Sequence, residues 1–166
     1  MSRAARYAAP MTALAAPTAP RAKRAVSAAP RRWTYEEYHA LDDDQRYEVL
    51  DGELTPMAPA PDYFHQDWLA NLNELVRSHA RKHRLGKVAF APLDVVLDPH
   101  NTVQPDLIFV AKANEGIIQR RGIFGVPDLL VEVVSPSSQR RDRYQKKQLY
   151  ARFGVKETRN AARGRT

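Results

Sequence analysis

Pro127-Asp128-Leu129-Leu130-Val131-Glu132-Val133-Val134 is short, almost wholly apolar and rich in branched side chains. A run of this kind suits a central strand covered on both faces rather than one with a solvated side. Glu132 is the anomaly within it, because burying a carboxylate in a central strand is costly unless it is paired or bound to a cation. The other reading open at this point is that Glu132 lies at the sheet rim or pairs with an arginine.

The same anomaly recurs one strand earlier, where Asp106 interrupts Val103-Gln-Pro-Asp-Leu-Ile-Phe-Val110. Two strands with one embedded acid each suggest a shared cation, since Mg²⁺ takes one or two carboxylates together with water and phosphate oxygens. Asp128 does not compete for it. It lies four residues from Glu132 on one strand, about 13 Å away at a strand's rise, so the two cannot grip one ion. Asp128 reads instead as a strand-start residue holding a turn. A metal-dependent attack by water also gains from a nearby cationic side chain. Position 134, the simplest place for one, holds Val, but Lys146 shares a helical stripe with Leu149, Tyr150 and Phe153, while Lys147 is turned by about 100° toward solvent.

Working outward, Thr34 and Glu37 have capping-box spacing before a short helix at about 34–41. Tyr47 to Leu50, Asp51-Gly52 and Glu53 to Met57 read as a β-hairpin, because Asp-Gly suits the positive φ angles of a type I′ turn. His65, Leu69, Leu72 and Val76 mark a long helix over 63–84 with a basic far end, Arg77, Arg81, Lys82 and Arg84. Extended runs follow at Lys87 to Ala91, Asp94 to Leu97 and Val103 to Val110, then a polar loop near 112–122, the 128–134 strand, and a last helix over 139–152 with its N-cap among Ser135 to Ser138. The order predicts an α/β or α+β sandwich of one sheet and a few helices.

The chain has 166 residues, enough for one domain with a substantial core. It has no cysteine, which excludes disulfides, thiolate zinc sites and a cysteine nucleophile. No apolar run approaches the roughly 20 residues of a membrane span, so a soluble, cytoplasmic protein is expected. The net charge of +7 is uneven: residues 1–32 hold seven basic and no acidic residues, whereas 33–157 hold 16 basic against 19 acidic. The excess therefore says little about the folded part's partner. Residues 1–32, rich in Ala and Pro without apolar periodicity, read as a disordered basic arm, with an organelle transit peptide as the lesser alternative. His79 and His83 stand at i, i+4 but on a basic helix end without an HExxH pattern, and read as a solvated face that could touch DNA phosphates. Neither a Gly-x-Ser-x-Gly elbow nor a phosphate-binding P-loop is present.

Tyr47-Glu-Val-Leu-Asp-Gly-Glu53, Ala91 to Asp98, Val103-Gln-Pro-Asp-Leu107, Pro127 to Ser137 and Arg141-Asp-Arg-Tyr-Gln-Lys146 to Tyr150 together resemble the Uma-two restriction-endonuclease family, which is similar to the PD-(D/E)xK nuclease superfamily. The likeness covers roughly 33–157. It implies a restriction-endonuclease-like mixed central sheet flanked by helices, and a Mg²⁺- or Mn²⁺-dependent endonuclease acting on DNA. Asp106 and Glu132 would be the metal ligands and Lys146 the lysine displaced onto the following helix. Glu53, in the family's Gly-Glu pair, would be an assisting acid or else a solvated residue after a turn. His65 matches a family histidine and is open to a core, capping or catalytic role. A homodimer is also open. Relatives continue into further sheet, whereas 156–166 contain no large apolar residue. The last strand or strands are therefore expected to be missing, with 158–166 an aberrant polar tail. The alternative function is a catalytically inactive, truncated remnant that at most binds nucleic acid or a protein partner.

Overall fold

The computed structural model describes residues 31–57, 59–134 and 140–162; for 134, 140–143 and 157–162 only the backbone is described. The expected basic arm up to residue 30, the Ser135–Ser138 cap and the last four residues lie outside the described residues. No helix among those described is long and apolar enough to cross a membrane.

The local signals convert into elements with little adjustment. Helix α1 (Tyr35–His39) starts at a complete capping box: the Thr34 hydroxyl accepts the Glu37 N–H at 3.3 Å, and the Glu37 carboxylate accepts the Thr34 N–H at 2.9 Å. Strands β1 (Tyr47–Leu50) and β2 (Glu53–Pro56) form the hairpin, with φ of 53° at Asp51 and 83° at Gly52. Both angles belong to the left-handed region that the Asp-Gly turn requires. Helix α2 (Tyr63–Lys82) is capped by Asp62, whose carboxylate accepts the His65 N–H at 2.8 Å. It leads into β3 (Gly86–Phe90), where a Cβ on Gly86 would stand 2.0 Å from the Val110 carbonyl oxygen, so only glycine fits the approach to the next strand.

The expected single strand Val103–Val110 is two strands. After β4 (Val95–Asp98), β5 spans Asn101–Val103 and β6 spans Leu107–Ala111, and they belong to different sheets. Pro105, which has no N–H to give a ladder, sits in the break between them, and Asp106 closes it. The polar loop is more ordered than expected: a 3₁₀ helix (Lys112–Ile117) precedes β7 (Ile118–Gln119) and β8 (Gly122–Phe124). Strand β9 (Leu129–Val134), helix α3 (Arg140–Arg152) and strand β10 (Glu157–Ala162) complete the chain.

Two sheets form, rather than the one expected. One runs β2-β1-β5-β4-β8-β7 and the other β10-β9-β6-β3. The expectation of a missing last strand is also corrected for 157–162, since β10 pairs in parallel with β9 from Glu157↔Leu129 to Ala162↔Val134. The segment has no large apolar side chain, but an edge strand can be held by backbone hydrogen bonds alone. Strand β9 is thus internal, as its composition requires. Its side chains alternate between two cores. Leu130 joins Leu50, Val95, Val103, Ile108, Leu149 and Tyr150 between the sheets and α3, while Val131 and Val133 join Leu69 and Leu107 beneath α2. Glu132, between the latter pair, projects with Leu130 toward the first core.

Candidate active site

Strand β6 pairs with β9 antiparallel at Leu107↔Val131, where the printed ladder ends. Continued by one residue, that register sets Asp106 opposite Glu132, as the embedded-acid reading anticipates. Asp106 leaves the ladder there and its side chain turns back onto it. One carboxylate oxygen accepts the Val133 N–H at 2.6 Å, and the other lies 3.1 Å from Nε2 of His65 on the first turns of α2. The acid is held by a backbone donor on one side and an imidazole on the other. His65 is buried, and its apolar neighbours on α2 fix where its ring enters.

On the opposite face, Glu132 Oε1 accepts the Tyr150 hydroxyl at 2.6 Å and lies 3.5 Å from Lys146 Nζ. Both partners come from α3, one turn apart, which is the stripe predicted from their spacing. Lys146 is buried and Lys147 exposed. The ammonium lies closer still to Glu48 Oε1, at 2.8 Å, and that carboxylate oxygen also accepts the Gln104 N–H at 2.8 Å. Gln104 stands two residues before Asp106 in the break between the sheets. Its side-chain amide donates to Asp94 at 2.8 Å and accepts from Arg46, so the segment carrying Asp106 is pinned from three directions.

The resulting cluster sets Glu48 and Glu132 on one ammonium, with the charge of Asp106 close enough to Glu132 to be felt there. Burial pushes the Glu132 carboxyl up to about 7; Lys146 and the Tyr150 hydroxyl oppose this, while the charges of Glu48 and Asp106 add to it. An acid raised so far in a site of mixed titratable groups is the pattern expected where a group is readied for a ligand or a reaction. Glu132 Oε2 takes no hydrogen bond among the described residues, and no group of three or more His, Cys, Asp and Glu side chains among them could hold a metal ion.

Glu53 is not in this cluster. It is exposed on β2, opposite Leu50, and no hydrogen bond or ion pair among the described residues ties it to the other acids. Glu48, five residues earlier in the same hairpin, stands next to Lys146 instead. The signal for it was in the sequence: Glu48 is an acid inside Tyr47-Glu-Val-Leu50, the same anomaly that singled out Glu132. Asp128 holds a turn, accepting the Ala111 N–H at 2.8 Å, Asn114 at 3.4 Å and Lys156 at 2.5 Å. Burial works against its charge, but these donors outweigh it and keep its carboxyl below the usual range. His79 and His83 sit on the exposed end of α2 with ring centroids 4.6 Å apart, away from the acids.

Comparison with solved structures finds a chain described as a putative nuclease belonging to DUF820, from Anabaena variabilis, with a TM-score of 0.62 and 15% sequence identity over 75% of this chain and 71% of that one. At that identity the likeness is one of fold. It agrees with the mixed sheet-and-helix architecture built above. A search of curated proteins gives no match. The profile of the Uma2 family, described as "Putative restriction endonuclease", matches residues 35–158, from the start of α1 into β10. That span contains the whole acid and lysine cluster, and the chain belongs to the Uma2 restriction-endonuclease family.

Proposed function

We propose that this chain is a divalent-cation-dependent nuclease that hydrolyses DNA phosphodiester bonds where β6 and β9 part. The observation that carries this reading is the charge of the cluster: Glu48 and Glu132 share one ammonium with Asp106 nearby, and Glu132 is raised to about 7 by burial, with Glu48 and Asp106 adding to the shift. One negative charge is left over at Lys146 when Glu48 and Glu132 are both ionised, and Asp106 adds a second beside it when His65 is neutral, a deficit a divalent cation fills. Asp106 and Glu132 fit the role of its protein ligands, since Mg²⁺, or Mn²⁺ in its place, commonly takes only one or two carboxylates and completes its sphere with water and phosphate oxygens. When bound, such an ion supplies positive charge against the phosphoryl group undergoing attack.

The protein's own groups have separable tasks in this reading. His65 and the Val133 N–H fix the orientation of the Asp106 carboxylate. Lys146 reaches the cluster from α3 and orients or activates the attacking water. Glu48, in the assisting place expected of Glu53, holds the ammonium at 2.8 Å and is itself held by the Gln104 N–H. The family's restriction-endonuclease description favours DNA as the substrate.

Cleavage of mixed DNA substrates with and without Mg²⁺ tests the proposal. Cation-dependent cleavage should be lost in both Asp106→Asn and Glu132→Gln while circular dichroism shows retained folding. Cleavage that survives both changes would remove the mechanism. One observation favours a second reading, a catalytically inactive protein: Lys146 already contacts two acids and both Asp106 oxygens already have partners. In that case Mg²⁺ would alter neither thermal stability nor any DNA substrate.

A further inference from the structure

We propose that the substrate strand is unpaired where it meets the acids, and that the surface along α2 and the open edge of β3 serves as a groove for single-stranded DNA. The proposal rests on the nuclease reading above and specifies the form of its substrate. Among the described residues the strongly exposed aromatic side chains are Tyr63 at 75%, Phe64 at 69%, Tyr144 at 65% and Phe90 at 47%. Three of the four stand at the acid end of α2 and β3. Tyr63 and Phe64 directly precede His65, the partner of Asp106. Phe90 is opposite Leu107, and the next N–H, of Ala91, donates to the Asp106 carbonyl at 3.1 Å. Phe90 shares its strand face with Val88, which packs under α2, so its ring is on the α2 side. Tyr63 and Phe64 meet edge to face at 5.7 Å, a geometry that leaves ring faces in water. Tyr144 is on the outer side of α3 and takes no part.

A second observation lies at the other end of the same helix and strand. Arg77 and Arg81 of α2 and Lys87 of β3 line a cavity of about 220 Å³ with no acidic residue in its wall. None of the three is in an ion pair among the described residues, whereas Arg121, Arg152 and Lys156 each pair with a carboxylate. Thirteen helical residues separate Phe64 from Arg77, about 20 Å. That is about six nucleotide steps at 3.4 Å per strand. Aromatic faces on which bases stack, joined to cations that follow the phosphates, form the usual platform for a single strand, and a duplex hides the base faces that the rings would meet.

Binding of the full chain to a single-stranded oligonucleotide of about 15 nucleotides, and to a duplex of equal length, is measured with chelator present so that no cleavage occurs. The single strand should bind more tightly. Phe64→Ala and Phe90→Ala should each weaken its binding by about 5- to 150-fold, the range for one stacked base, and leave duplex binding unchanged. Phe64→Leu, which keeps apolar area but not the ring face, should weaken it as well; a protein-docking surface would tolerate that change. In Arg77→Glu/Arg81→Glu the slope of log K against log salt should fall by about 1.4, for two single-strand phosphates. Tyr144→Ala should bind like the parent. Equal or tighter duplex binding, or aromatic variants that bind like the parent, overturns the groove even if Mg²⁺-dependent cleavage is found. Absence of cleavage with the strand preference intact overturns the nuclease reading and leaves the groove standing.

Discussion

Replacing Lys146 by Met keeps much of the side-chain volume and deletes the only ammonium in the acid cluster among the described residues. Lys146 Nζ lies 2.8 Å from Glu48 and 3.5 Å from Glu132, and the Lys146 and Glu48 side chains are 11% and 5% exposed, so the change strands two carboxylates away from water. Breaking a buried pair by removing one partner costs about 3–5 kcal/mol. Two features hold this case to the lower half of that range. The Gln104 N–H still satisfies Glu48. Glu132, already raised to about 7, discharges its share by taking up a proton. At about 3–4 °C per kcal/mol for a domain of this size, Lys146→Met should melt about 10–15 °C below the parent at pH 8. Adding Glu48→Gln removes the stranded charge and keeps an acceptor for Gln104, so the double variant should recover part of the loss. At pH 5 the single variant should lose less, because Glu132, raised to about 7, is protonated there and no longer needs the ammonium. Urea and thermal unfolding of the four proteins at both pH values give the cycle. A loss below about 1 kcal/mol at pH 8, or a double variant no more stable than the single, would refute the view that Lys146 and Glu48 form a buried, mutually dependent pair.

Glu132 has a folded-state pKa of about 7, above its ordinary value of 4.5, so between those values the folded chain binds a proton that the unfolded chain does not. Stability should therefore fall as pH rises through that window, by at most about 3 kcal/mol, and Glu132→Gln should flatten the slope; an unchanged slope in urea titrations would show that another group sets it. Asp128 is shifted the other way, so its contribution is present above the ordinary carboxylate range and lost as pH falls through its lowered pKa. Asp128→Ala should destabilise by about 1–3 kcal/mol at pH 7, because the Ala111 N–H loses its acceptor, which chemical denaturation would detect. Glu48→Gln should reduce Mg²⁺-dependent cleavage by about 10- to 100-fold, as loss of a group that orients site residues does, while Glu53→Gln should cleave like the parent. A nuclease assay in which Glu53→Gln fails and Glu48→Gln does not would return the assisting role to the hairpin turn.

Local structure was legible because its determinants are local. Thr34 and Glu37 are three residues apart, and Asp51-Gly52 carries its own turn geometry. Lys146, Leu149 and Tyr150 share a face through helical spacing alone. The division of Val103–Val110 between two sheets was not legible, because apolar content reads alike in either sheet and only Pro105 marks the break. Reading that run as one strand also hid the second sheet. Glu48 was recoverable by the rule that exposed Glu132, an acid flanked by apolar strand residues. Its pairing with Lys146 spans 98 positions and depends on how α3 crosses the sheets, which no spacing encodes. The backbone pairing of β10 escaped for the opposite reason: a pattern of polar side chains says where a segment cannot be buried, not whether its amides can join a ladder.

The break at Pro105 is also what makes the cluster possible. Had β6 continued its ladder through Asp106, alternation would have committed that side chain to one face of the sheet, and either His65 or the Glu132 side would have been out of reach. By leaving the ladder at the last paired residue, Asp106 sits at the sheet's end, bonded to α2 through His65 and to β9 through the Val133 N–H. Gln104, two residues back, fixes Glu48 with its N–H and anchors its side chain on Asp94 and Arg46. Glu48 and Glu132 therefore converge on one ammonium from β1 and β9, with Asp106 beside Glu132 from the turn between the sheets. As a purely structural network this is poorly balanced, since an amide in place of one acid would relieve repulsion without losing a hydrogen-bond acceptor. The imbalance has a use only if positive charge arrives from outside. On that reasoning added Mg²⁺ should raise the melting temperature more at pH 8, where Glu132 is ionised, than at pH 5, where it is protonated.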